Sequence, residues 1–168
     1  GGFSGGDPED PSFRELLIRW FQYGTFCPIM RLHGFRKAPV RSKAAGGAEE
    51  SGVRDFETCG PNEVWSFGEE AYGILKKLLV LRERLRPYIM AQMKEAHEKG
   101  TPPMRPLFYD FPDDKISWDI EDEFMFGPDI LVAPVDQEGA RSRFVYLPKD
   151  AIWIEVSTGR IHQGGQFI

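Results

Sequence analysis

Cys27-Pro28-Ile29-Met30-Arg31-Leu32-His33-Gly34 is a short apolar run that ends in polar residues. It lies between an amphipathic segment and a long glycine-rich connection. A buried strand that finishes in Arg-x-His-Gly at a loop has the form of a barrel strand delivering side chains to a site. In a (β/α)8 barrel the functional residues sit at the carboxyl ends of the strands and in the loops that follow. Arg31 and His33 are two apart, so an extended chain points both to one face. That face suits a hydroxylated or anionic ligand: Arg presents a rigid fork of donors, and His a donor or an acceptor. A structural reading fits the same residues, with His33 tying down the strand end and Arg31 pairing with a carboxylate. Spacing alone leaves both readings open.

Upstream, residues 1–10 are rich in glycine and acid and read as a loop. No Gly-Lys-Ser/Thr follows, so this is not a phosphate-binding loop. Asp10 followed by Pro11 reads as a helix N-cap with proline at the first helical position. Asp7, Glu9 and Asp10 are therefore expected to serve capping and the helix dipole. From Pro11 to Tyr23 the apolar residues Phe13, Leu16, Leu17, Trp20 and Phe21 recur at helical spacing, which predicts a core-facing stripe. Gly24 is placed to end that helix. The strand Phe26–Leu32 follows after a tight link, and helix, link and strand together read as one step of a barrel.

Downstream, residues 34–66 form a long connection whose centre, Ser42 to Gly52, has no periodicity. Trp65 and Phe67 near its end fit two readings, lining a pocket or packing the next helix. From about Phe67 to Lys99, Ile74, Leu78, Leu81, Leu85, Ile89 and Met93 step by three or four, a long helix. Pro87 removes the bond to the Glu83 carbonyl, so a kink is expected there. The basic run Arg82, Arg84 and Arg86 is expected to be solvated or paired with Glu83 and its neighbours. Gly100, with Pro102 and Pro103 beyond it, ends the helix.

Beyond Gly100 the period changes. Met104–Phe111 and Ile130–Val135 read as strands, and 143–147, 151–156 and 161–162 as short runs separated by turn signals. Together the elements predict an α/β chain. Residues 1–113 supply the last elements of a (β/α)8 barrel (helix, strand, long helix). Residues 114–168 supply a short antiparallel β-meander that opens a β-sandwich domain.

The chain has 168 residues, 41% hydrophobic and 28% charged, which is ordinary for a soluble globular protein. A net charge of −5 gives no reason to expect nucleic acid, which favours a basic face. Cys27 and Cys59 make neither a disulfide framework nor, without clustered His, a zinc site; this usage favours a reducing compartment such as the cytoplasm. No run approaches the ~20 apolar residues of a membrane span, and no signal peptide is visible. The opening Gly1-Gly2-Phe3 lacks an initiator Met, which reads as a start inside a larger protein or a cloning scar.

With these residues laid out, the chain resembles glycoside hydrolase family 31, the α-glucosidase and α-xylosidase family. Gly1-Gly2-Phe3 with its acidic loop resembles the family's Asp-Ile-Gly-Gly-Phe segment at barrel strand seven. Arg31-Leu32-His33-Gly34 resembles the Arg-x-His at the end of strand eight, and Arg84-Leu85-Arg86-Pro87-Tyr88 the Arg-x-x-Pro-Tyr of the long eighth helix. Pro103-Met104-Arg105-Pro106 and Phe126-Gly127-Pro128-Asp129 through Val135 resemble the exit from the barrel and the first strand of the β-domain. Pro61 to Ser66 is similar to the bacterial α-xylosidase branch.

The resemblance implies that His33 hydrogen-bonds hydroxyls of the sugar in subsite −1 and that Phe3 lines the same subsite. It gives Arg31 a neighbouring, supporting place. It implies an α-linked oligosaccharide or glycoside as partner, the rest of a barrel upstream, and no metal or organic cofactor. Retaining glycosidases need two carboxyl groups ~5–5.5 Å apart. The family's two catalytic motifs lie upstream of Gly-Gly-Phe and have no counterpart in this sequence. Asp7, Glu9, Asp55, Glu57 and Glu63 match no catalytic position, so no catalytic residue is expected in this chain. The implied whole is a retaining enzyme acting on terminal α-linked glucose or xylose. Alternatives are a non-catalytic carbohydrate-binding module, and an α-glucan lyase or transglycosylase of the same fold. A partial barrel leaves apolar faces and strand edges uncovered, so self-association is also expected.

Overall fold

The computed structural model describes residues 6–32 and 62–168. Helix α1 spans Pro11–Thr25. Its start is as expected: the Asp10 carboxylate accepts from the Ser12 N–H at 3.0 Å, and Pro11 occupies the first turn. Such a cap stabilises a helix by about 1 kcal/mol. Its end is not as expected. The helix continues through Gly24 to Thr25, whose hydroxyl donates back to the Phe21 carbonyl at 2.8 Å.

A 3-10 turn, Val64–Phe67, leads into α2, Glu69–Arg84, and α3, Arg86–Lys99. The kink expected at Pro87 falls at Leu85, where ψ is −8° and α2 gives way to α3, with the Leu85 N–H still bonded to the Leu81 carbonyl at 3.0 Å. A proline ring clashes with the carbonyl four residues back and has no N–H to give. Gly100 ends α3 in the left-handed conformation, φ +73°. Arg86 pairs with Glu83 at 2.7 Å, as the basic run led one to expect.

Seven short strands follow: β1 Met104–Arg105, β2 Phe124–Phe126, β3 Ile130–Val132, β4 Tyr146–Leu147, β5 Ile152–Ile154, β6 Ile161–Gln163 and β7 Gln166–Phe167. The first three form an antiparallel meander, β1-β2-β3, while β4 pairs with β7 and β5 with β6. The long strand expected over Met104–Phe111 stops at Arg105. Pro106 cannot extend a ladder, and helix α4, Leu107–Asp110, begins on it instead. That turn brings Asp110 back onto the buried Arg105, which it grips through two bonds of 2.6 and 2.9 Å.

The core among the described residues has three clusters, two of which meet at β2. Leu17 and Phe21 of α1 pack on Phe67, Ala71 and Leu75. Phe124 and Phe126 face Ile89 and Val132, with Tyr23 and Phe26 against them. Met125 points the other way, to Leu107 and Tyr146. This alternation is the period of a strand buried on both sides. Tyr23 meets Phe124, and Phe26 meets Phe126, edge-on at 5.7 and 6.4 Å, so the end of α1 is bolted to the sheet by aromatic rings. Of the expected α1 stripe, Leu17 and Phe21 are buried, but Leu16 and Trp20 are half-exposed.

Candidate functional site

The segment expected to carry the site leaves α1 at Phe26 and is described as far as Leu32. It is not a strand. It bends at Cys27, Pro28 and Ile29 and then runs irregularly. A strand needs a neighbour to pair with, and no strand lies beside it among the described residues. Its carbonyls instead go to a side chain. Arg82 of α2 donates from Nη1 to the Thr25 carbonyl at 2.8 Å and to the Cys27 carbonyl, and from Nη2 to the Pro28 carbonyl at 3.0 Å. Buried carbonyls must find donors, and the five N–H groups of a guanidinium can serve several at once. The basic run Arg82, Arg84 and Arg86 reads from sequence as solvated or paired with nearby acids, and nothing local marks this role for Arg82; the three carbonyls lie more than fifty residues away.

A small cavity of about 160 Å³ opens beside this segment, walled by Trp20 and Phe21 of α1 and by Cys27, Met30, Arg31 and Leu32. Arg31 is exposed at its rim. Phe3 and His33, the other two residues singled out from the sequence, lie outside the described residues, as do Cys59, Asp55 and Glu57. Burial pushes the Cys27 thiol pKa up, although Tyr23 and Arg82 oppose the shift, so the thiol is not poised as a nucleophile. The remaining acids named from the sequence are engaged locally. Asp7 accepts from the Glu9 N–H at 2.9 Å, Glu9 pairs with Arg14 at 3.0 Å, and Glu63 accepts from Ser66 at 3.2 Å. Phe67 is buried against Ala71 and Leu75 and so packs the helix that follows, whereas Trp65 is exposed and its two readings stay open.

A larger cleft, about 720 Å³, separates α1 from the β-strands and is lined by Leu16, Arg19, Trp20, Met104, Asp122 and Glu123 among others. Glu123 is 5% exposed. It accepts from the Tyr146 N–H at 2.7 Å and lies 3.7 Å from Arg143. Burial raises its pKa to about 7 against the pull of Tyr146 and Arg143. Nothing in the local sequence Glu121-Asp122-Glu123 marks Glu123 as the buried acid of the three. No group of His, Cys, Asp and Glu among the described residues is arranged to hold a metal ion, and no described helix is long and apolar enough to cross a membrane.

The helices and strands correspond to two adjoining family models. Residues 1–92 match the TIM-barrel domain of glycosyl hydrolases family 31, and residues 100–168 match the C-terminal domain of the same family. The chain belongs to glycoside hydrolase family 31. It is 35% identical over its whole length to an alpha-xylosidase of Saccharolobus solfataricus, covering 20% of that protein. Against alpha-glucosidase 2 of Bacillus thermoamyloliquefaciens it is 36% identical over 91% of the chain and 17% of the relative. Among solved structures, an alpha-xylosidase from a soil metagenome, complexed with xylose, superposes on 100% of the chain with a TM-score of 0.85 and 55% identity. The match covers 24% of that structure. The chain thus spans about a fifth of the length of the curated relatives it matches.

Two of the family 31 segments quoted from the sequence meet in space. Tyr88, from Arg-x-x-Pro-Tyr, donates its hydroxyl to the Phe126 carbonyl at 2.9 Å and accepts from the Asp129 N–H at 3.2 Å. Phe126 and Asp129 both belong to Phe-Gly-Pro-Asp. The barrel's last helix and the first turn of the following domain are therefore joined through one phenol.

Proposed function

We propose that this chain is the C-terminal part of a retaining α-glycosidase. The whole protein would cleave terminal α-linked xylose or glucose by double displacement through an oxocarbenium-like transition state. The observation that carries the reading is the superposition of the whole chain on 24% of an alpha-xylosidase complexed with xylose; it makes an α-xyloside the first substrate to try. In this reading His33 donates to hydroxyls of the subsite −1 sugar, Phe3 forms an apolar wall against its ring, and Arg31 supports the segment beside them. A sugar pocket needs that combination of fixed polar groups and apolar wall.

Both catalytic carboxylates are assigned to the upstream part of the barrel, so this chain lines the subsite and performs no chemistry. Glu123 does not replace them. It lies in the larger cleft, where its Oε1 accepts from the Tyr146 N–H and faces Arg143 at 3.7 Å, while its Oε2 is buried without a hydrogen-bond partner among the described residues. The isolated chain is expected to self-associate. Ile152, Ile154 and Ile161 stand exposed on one face of the β5–β6 hairpin, and Leu16 and Trp20 on α1. Static light scattering at several concentrations reads this directly; a monomer throughout would contradict it. The residue assignment is tested in the full-length protein with His33→Ala. It should lose tenfold or more in kcat/KM on p-nitrophenyl α-D-xyloside, as expected for a roughly 1.4 kcal/mol loss of transition-state binding. An unchanged kcat/KM would remove His33 from the site.

A further inference from the structure

We propose that Arg82 is a positioning residue for the substrate-binding segment, fixing from α2 the backbone that leads into Arg31 and His33. The inference rests on the proposed subsite reading and extends it to a residue far away in sequence. A guanidinium that merely capped α1 would need only the helix's own last carbonyls, such as that of Thr25. Arg82 reaches further, to the carbonyls of Cys27 and Pro28, which lie past the end of the helix. One planar group thus fixes three carbonyls within four residues. These are the residues that set the direction in which the chain departs towards Arg31.

Two neighbours keep that geometry rigid. Thr25 is fully buried and bonded back to Phe21. Phe26 is wedged edge-on against Phe126. Cys27 is held in addition by its own N–H, which donates to the Gly24 carbonyl at 3.1 Å, and the guanidinium fixes the carbonyls of Cys27 and Pro28 that follow. Lysine cannot reproduce this contact, since an ammonium is a point charge on a flexible stem rather than a rigid fork. A small error in backbone placement here is carried forward to the side chains that meet substrate, and misplacement of about 1 Å can cost on the order of a hundredfold in rate.

The test uses the full-length enzyme with p-nitrophenyl α-D-xyloside and four forms: wild type, Arg82→Lys, His33→Ala and the double variant. Arg82→Met is added, and Arg82→Lys alone is read if the methionine form does not fold. The expected result is a roughly tenfold or greater fall in kcat/KM for Arg82→Lys, with a raised KM and a melting midpoint within a few degrees of wild type. In the His33→Ala background the same change should cost less than about twofold, because the contact it positions is already gone. Added guanidinium ion should restore part of the activity of Arg82→Met and none of that of His33→Ala. If His33→Ala loses activity while Arg82→Lys keeps kcat/KM within about twofold of wild type, Arg82 has no positioning role. Fully additive losses would likewise reduce it to a general stabiliser. If His33→Ala is itself silent, the subsite reading fails first, and the role of Arg82 falls with it.

Discussion

The Tyr88 hydroxyl fills the space that a side chain on Gly127 would need: a Cβ there would lie 2.1 Å from its oxygen. Gly127 also has φ +64°, a conformation that L-residues with side chains rarely adopt. Gly127→Ala should therefore destabilise the protein by about 2–4 kcal/mol through strain and overpacking together. Tyr88→Phe should cost about 1–2 kcal/mol for its two hydrogen bonds. In the double variant the contact with the hydroxyl oxygen is gone, while the ring carbon Cζ at 2.7 Å, Gln92 Cδ at 2.9 Å and the positive φ remain, so the cost should be less than the sum of the two single values but not vanish. Urea denaturation of all three forms checks this; strictly additive midpoints would show that the two residues are not coupled.

Glu123 makes stability fall with rising pH. Its folded pKa of about 7 lies above the usual 4.5, so the folded chain holds a proton that the unfolded chain has released. Between those values the native state binds more protons, and stability drops as pH rises, by on the order of 1–3 kcal/mol. Glu123→Gln keeps an acceptor for the Tyr146 N–H and cannot ionise. It should flatten the stability profile between about pH 5 and pH 8 and be the more stable form at the upper end. An unchanged slope would place the pH dependence elsewhere.

Arg105 and Asp110 form a forked ion pair with the arginine 5% exposed. Arg105→Lys loses the bidentate geometry and should cost about 1–3 kcal/mol in unfolding free energy. Arg105→Ala leaves Asp110 without its partner and should cost about 3–5 kcal/mol. Arg105→Lys with a wild-type midpoint would mean that charge alone, rather than the fork, holds the turn from β1 into α4.

What could be read from the sequence was whatever local chemistry dictates. Asp10 and Pro11 start α1, Pro87 breaks the long helix and Gly100 ends it, each through its own backbone preference. What escaped depended on residues far away in the chain. The apolar run at Phe26–Leu32 has strand composition, but its carbonyls are claimed by Arg82 rather than by a ladder. Phe124-Met125-Phe126 is too short to show its period and is a strand because β1 and β3 flank it. Leu16 and Trp20 carry the same apolar signal as Leu17 and Phe21, yet the packing of α2 covers only the latter pair. Glu123 could not be told from Glu121 and Asp122 until its burial was known. Of the site itself, Arg31 is seen at the rim of a small cavity, and Phe3 and His33 fall within residues 1–92, which match the family's TIM-barrel model.

In the proposed function this chain shapes a subsite for an α-glycosidase whose acids lie elsewhere in the protein. The most direct measurement is turnover of p-nitrophenyl α-D-xyloside and α-D-glucoside by the 168-residue chain and by the full-length protein, side by side. No turnover is expected from the chain alone, and turnover with retention of anomeric configuration from the full-length protein. Turnover by the isolated chain would contradict the placement of the acids, and inactivity of the full-length protein on every α-glycoside would contradict the function.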